Sequence, residues 1–159
     1  MKKAAWIAAA AGLAVAVSTG GAVTVWAAAA AKAPVTMVPA DLKWVPVAPD
    51  APPGGPEIAV LHGDLKKGPV GFFIRMKSGS PGTMHSHTSD YNAVVIQGTI
   101  VNAADGDTAP RPMPPGSYWF QPGKAKHITS CNAGADCIAY VSFTGKFDFV
   151  PATPPAAAK

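Results

Sequence analysis

An all-β fold, a sandwich or a closed barrel, is what the sequence predicts, and three observations carry that prediction. The 159 residues include 17 Pro and 16 Gly, spread so that a long uninterrupted helix has almost nowhere to run. Short runs rich in Val, Ile, Phe, Tyr and Trp recur between turn-forming clusters about every ten residues, the layout of antiparallel strands joined by tight connections. The length suits one domain, and 48% of the residues are hydrophobic against 14% charged. Much of that apolar excess sits in the first 31 residues; beyond them the chain has the composition of an ordinary soluble domain. Without Lys2 and Lys3 the balance is 11 basic against 9 acidic residues, with no basic stripe, so nucleic-acid binding is not expected.

Residues 1–31 open on two lysines, continue in an apolar run and finish in small residues offering several Ala-x-Ala sites, the layout of a secretory signal peptide. The break Ser18-Thr19-Gly20-Gly21 shortens the hydrophobic core to a signal-like length, with an uncleaved membrane anchor as the alternative. Both cysteines, Cys131 and Cys137, lie far from the N-terminus, which excludes a lipid anchor there, and Lys2-Lys3 is not a twin-arginine signal. Residues 32–40 read as a linker. The domain is placed at 41–150, starting where Trp44 breaks a proline-rich stretch, because a large aromatic in such a segment is expected to pack onto the core.

Strand-like runs follow in order: Glu57 to Leu61, Val70 to Lys77, Tyr91 to Gln97, Ser117 to Phe120, Ala125 to Thr129, Ile138 to Phe143 and Phe147 to Val150. Turn signals separate them, among them Gly63-Asp64, Asp105-Gly106-Asp107, Pro114-Pro115-Gly116 and Pro122-Gly123. Residues 151–159 read as a disordered tail.

Four histidines carry most of the chemical interest. His85 and His87 are two residues apart, so on a strand both rings leave the same face and form half a metal site. His127 follows the Pro122-Gly123 turn, where a return strand can bring its ring opposite the pair. His62 precedes a Gly-Asp turn signal and reads as a solvated loop residue. Cys131 and Cys137 enclose five residues between two strand-like runs, and in an exported protein they are expected to form a disulfide. Cys131 is too far from His127 to share an ion, about 13 Å along a strand. In the run Val70 to Lys77 one face lines the interior, which leaves Arg75 either facing solvent or reaching an anionic substrate. Tyr118-Trp119-Phe120 reads as core on both faces of a buried strand.

Read from Gly79, the chain runs GSPGTMHSHTSDYNAVVIQG, with His85, His87, Tyr91 and Gly98 at the spacing of the first cupin motif, which it resembles. GSYWFQPGKAKHITSC is similar to the second cupin motif: Gly116, Pro122 five residues between, and His127 five places later. The resemblance covers roughly Asp41 to Asp148, and DLKWVPVAP, PPGGPEIAVLHGDLKKGP and GKFDF resemble small exported single-domain cupins of the ChrR-like, anti-sigma-factor type. It implies a double-stranded β-helix, or jelly-roll barrel, with His85, His87 and His127 as ligands of one divalent transition metal.

Departures from the motifs are informative. Tyr91 stands where the family carries a ligating glutamate, and the only glutamate in the chain is Glu57. In the second motif glycine follows Pro122 directly instead of one residue later. The missing carboxylate leaves water, Asp90 or Tyr91 to complete the site, in that order: a strand turns Asp90 to the opposite face unless a bulge re-aims it, and a phenol rarely ligates. A three-histidine site suits Zn, Cu, Fe, Ni or Mn. The resemblance implies either an enzyme acting on a small molecule, dioxygenase-like or hydrolytic, or a non-catalytic module that binds or senses a metal or small ligand. The full sensor arrangement needs a further zinc-binding helical domain, so sigma-factor control is not expected. The resemblance also implies a homodimer, and the leader a periplasmic or secreted location, with membrane attachment only if it is retained.

Overall fold

Among the residues that this computed structural model describes, 33–48, 51 and 53–152, regular structure is almost entirely β. One turn of 3-10 helix, Pro39–Asp41, precedes ten strands: β1 (Val45–Pro46), β2 (Glu57–Gly63), β3 (Val70–Met76), β4 (His85–Ser86), β5 (Tyr91–Gln97), β6 (Ile100–Ala104), β7 (Tyr118–Gln121), β8 (His127–Cys131), β9 (Cys137–Phe143) and β10 (Val150–Pro151). All belong to the unit spanning 36–159. The expected signal segment lies outside the described residues, as does nearly all of the expected tail.

Two antiparallel sheets form, one ordered β1-β2-β3-β9-β5-β7 and the other β10-β4-β8-β6. Alternation in the sequence explains which face of each strand turns inward. In β9, Cys137, Ala139, Val141 and Phe143 are buried while the residues between them are half-buried; in β5, Tyr91, Ala93 and Val95 point in. With Ile58, Val70, Phe72 and Ile100 these side chains fill the space between the sheets. The expected all-β jelly-roll is therefore the observed architecture.

Several local expectations need correction. The run Tyr118-Trp119-Phe120 is not core on both faces: only Trp119 is buried, and Tyr118 and Phe120 are 60% and 50% exposed. The physical reason is the alternation of β7, which turns Trp119 and Gln121 inward and Tyr118 and Phe120 to the opposite, exposed face. Trp44 does not enter the core; half-buried, it lies under the Arg75 guanidinium, 4.3 Å from ring centroid to Cζ. His62 sits in β2 beside a bulge, not in a loop, and its Nε2 meets the Tyr140 hydroxyl at 3.0 Å. Strand β6 is unannounced by its sequence, because Ile-Val-Asn-Ala-Ala buries only Ile100; its ladder with β8, from Ile100↔Cys131 to Ala104↔His127, forms it. Of Phe147 to Val150 only Val150 is in a strand.

The turn before β8 accounts for the displaced glycine. Lys124 adopts φ +66°, the left-handed region that glycine occupies without cost. Its amide donates to the His87 carbonyl at 2.6 Å. Gly123 cannot be enlarged, since a Cβ there would meet the Thr88 carbonyl oxygen at 2.6 Å. Lys124→Gly is expected to stabilise the domain by about 1 kcal/mol by removing left-handed strain. Thermal unfolding checks this, and a lower midpoint in the variant contradicts it.

Cys131 and Cys137 form the expected disulfide, with Cα atoms 5.8 Å apart. It joins the end of β8 to the start of β9, and so ties the two sheets together at the strand that carries His127. A bridge of this kind is consistent with an oxidising compartment. Reduction is expected to cost roughly 2 kcal/mol for so short a loop, read as a lower denaturant midpoint in the presence of dithiothreitol.

Candidate metal centre

Strand pairing builds the site. β4 and β8 pair so that His85 lies directly opposite His127, and His87, two residues on, points the same way. The three rings pack against one another, with centroids 4.3 Å apart for His85 and His127, 4.8 Å for His85 and His87 and 5.4 Å for His87 and His127. All three are buried, His127 completely. One nitrogen from each lies within 4.8 Å of the others.

Orientation of the rings is fixed from behind. Nδ1 of His85 donates to the Thr83 carbonyl at 2.7 Å, Nδ1 of His87 to the Asp148 carbonyl, and Nδ1 of His127 to the Ala125 carbonyl at 3.1 Å. A carbonyl can only accept, so each Nδ1 carries the proton and each Nε2 presents a lone pair. Burial pushes His87 and His127 down to about 4, reinforced by the neighbouring imidazoles, and burial likewise lowers His85. Three neutral imidazoles, each held through its far nitrogen, form the donor arrangement that first-row metal sites use. Around one ion at about 2.0–2.1 Å the nitrogens would lie no more than about 4.2 Å apart, so small ring movements close the set.

Tyr91, at the start of β5, occupies the place of the missing glutamate. Its hydroxyl meets Nε2 of His127 at 3.2 Å and accepts a hydrogen bond from Trp119 Nε1 at 3.3 Å. With Nδ1 of His127 already donating, the phenol proton points at Nε2. Burial pushes the Tyr91 phenol up to about 12, so it remains neutral at physiological pH. Asp90 lies apart from this group: it is exposed, and its carboxylate accepts the Gly123 amide at 2.7 Å. Regular strand alternation at the start of β5 turns it away, as its position one residue before Tyr91 implies.

Arg75 also lies elsewhere. It pairs with Glu57 at 2.6 Å on the outward face of β3, and the alternate residues Phe72, Ile74 and Met76 face the interior. Asp148 was not legible as a site residue: its contribution is a backbone carbonyl, and its carboxylate is spent on the Thr88 amide and hydroxyl, which pin the segment.

A cavity of about 580 Å³ opens beside the histidines. His85, His87 and Tyr91 form one part of its wall, and Phe72, Met76, Trp119, Phe143 and Phe149 much of the rest. Phe149 stacks on His85 with centroids 4.4 Å apart and is 38% exposed, which puts it at the rim.

The sequence pattern described as Domain of unknown function (DUF4437) matches residues 35–157. The chain belongs to the DUF4437 family. Among curated proteins none matches this DUF4437 chain. Solved structures place its fold among the cupins. An RmlC-like cupin from Ralstonia eutropha is 18% identical with a TM-score of 0.56, covering 68% of this chain and 66% of that one. The polyketide cyclase RemF from Streptomyces resistomycificus is 14% identical with a TM-score of 0.60, covering 75% and 85%. In the complex of Rhodobacter sphaeroides SigE with the anti-sigma ChrR, the match is 18% identical with a TM-score of 0.50, covering 67% of the DUF4437 chain and 50% of the other. Identities this low carry the fold alone.

Proposed function

We propose that this protein is an exported, metal-dependent cupin that holds one divalent transition metal through His85, His87 and His127 and acts on a small molecule in the adjoining cavity. The observation that carries the reading is the set of three Nδ1 donors anchored on carbonyls, which leaves three Nε2 lone pairs converging on one point. When bound, such an ion supplies a Lewis acid or an activated water. Dioxygenase-like and hydrolytic reactions are both open to a three-histidine donor set. RemF, a cyclase, is an enzyme on this fold, and the anti-sigma ChrR a binding protein on it; the open cavity beside the histidines favours the enzyme here.

The residues divide the work. His85, His87 and His127 bind through Nε2, and the carbonyls of Thr83, Asp148 and Ala125 keep them aimed. Tyr91 keeps its proton and donates it toward the oxygen of a bound ligand once His127 Nε2 is engaged elsewhere. The aromatic wall gives the apolar part of a ligand a surface to pack against. The leader-like first 31 residues and the disulfide support a periplasmic or secreted location.

Two measurements test this. Zinc titrated into Tyr91→Phe is expected to bind within about tenfold of the wild type, because the phenol is a donor near the site and not a ligand; a loss beyond about 100-fold makes it a ligand. Water-proton relaxation of the manganese-loaded chain is expected to report at least one rapidly exchanging water. A closed coordination sphere contradicts the enzymatic reading and leaves a binding module.

A further inference from the structure

The cavity differs from the metal centre in what it lacks. Among the described residues no Asp, Glu, Lys or Arg lines it. The cations nearest in sequence to its wall are committed elsewhere: Arg75 to Glu57 at 2.6 Å, Lys77 to Asp136 at 2.9 Å and Lys146 to Asp148 at 3.7 Å. Polar groups on the wall are few. The Tyr91 hydroxyl meets His127, and the Thr129 hydroxyl donates to Asn102 at 2.7 Å, which leaves chiefly the hydroxyls of Ser80 and Thr83. Three phenylalanines, Phe72, Phe143 and Phe147, pack edge to face and stacked behind the histidines, and Phe149 covers His85 at the rim.

We infer that this cavity takes an uncharged, predominantly hydrocarbon or aromatic molecule carrying an oxygen donor at one end, with that end at the three histidines and the apolar body against the phenylalanines. The orientation rests on the metal reading above; the ligand class rests on the wall. A charge on the body of the ligand would be stripped of water with no counter-charge to meet it. A polyol such as a sugar would leave most of its hydroxyls unpaired in an apolar chamber. A cavity of about 580 Å³ accommodates a molecule of two or three fused rings. Phe149, in contact with His85 and open to solvent, is the residue placed to determine what enters.

The test uses 2-naphthol, 6-hydroxynaphthalene-2-sulfonate and glucose as probes of the full-length chain, with and without one equivalent of zinc. The two naphthols share the oxygen donor and differ only in a charge on the far ring. Binding read by naphthol fluorescence is expected to be at least about tenfold tighter for 2-naphthol than for the sulfonate, with glucose, read by displacement of bound 2-naphthol, weaker than both. Phe149→Arg, a change at a partly exposed rim position, is expected to improve sulfonate binding by about tenfold. Equal or tighter binding of the sulfonate or of glucose by the wild type overturns the inference, and so does absence of 2-naphthol binding up to millimolar concentration. A preference for 2-naphthol that is identical with and without zinc, and persists in a His85→Ala, His127→Ala variant, upholds the ligand class and separately removes the metal from its recognition.

Discussion

Replacing His127 with alanine is expected to weaken divalent-metal binding by more than about 100-fold, since loss of an outer hydrogen-bond partner alone costs a metal site 10–100-fold and the proposed site uses His127 as one of three ligands. Of the three histidines it is the most tightly placed: it is fully buried, lies opposite His85 in the β4–β8 ladder and is held at Nδ1 by Ala125 and at Nε2 by Tyr91. Removing the ring deletes a donor and leaves a space that His85 and His87 cannot fill, because their own Nδ1 anchors fix them to Thr83 and Asp148. Zinc titration calorimetry measures the effect, with far-UV circular dichroism to verify that the β-sheet content is retained. An affinity within about tenfold of the wild type means that His127 is not a ligand.

A second large effect is expected with pH. In the metal-free protein His87 and His127 titrate near 4, whereas in the unfolded chain a histidine titrates near 6.5. As pH falls, the unfolded chain therefore takes up protons first and is favoured. The stability these groups confer is fully present above pH 6.5, drains away as pH falls toward 4, and does not change further below that. At about 1.4 kcal/mol per pKa unit the difference is roughly 3 kcal/mol for either residue alone. Between pH 6.5 and 5 carboxylates remain ionised, so that window isolates the imidazoles. Urea unfolding of the metal-free chain is expected to give a steeply falling free energy there, with a shallower slope in His127→Ala. A flat profile contradicts the buried neutral triad.

The histidine cluster was more legible in the sequence than the packing around it. A spacing of two residues on a strand fixes a shared face, so His85 and His87 were bound to converge wherever β4 lay; the β4–β8 register then set His127 opposite. The clean alternation of β5 and β9 announced which side chains would be core. The short loop between Cys131 and Cys137 likewise matched the observed bridge.

What the sequence concealed depends on neighbours. Tyr118 and Phe120 are as apolar as any core pair, yet alternation along β7 puts them on the face opposite the buried Trp119 and Gln121, so composition alone misled. Trp44 and Arg75 find each other across the outer face, which no local pattern encodes. β6 owes its form to β8. The Asp148 anchor works through its carbonyl, a group every residue carries, so no side-chain signal could have marked it. The neutrality of the cavity emerged only when the β3 register sent Arg75 and Lys77 outward and Ile74 and Met76 inward.

Metal content tests the central claim most directly. Full-length protein purified without chelators, together with a His85→Ala, His127→Ala variant, should be analysed by inductively coupled plasma mass spectrometry. One transition-metal ion per chain in the wild type, absent from the variant, is the result predicted. No stoichiometric metal in the wild type, with a thermal midpoint unmoved by added zinc, copper, iron, nickel or manganese, would contradict the metal centre and leave an apolar ligand-binding barrel.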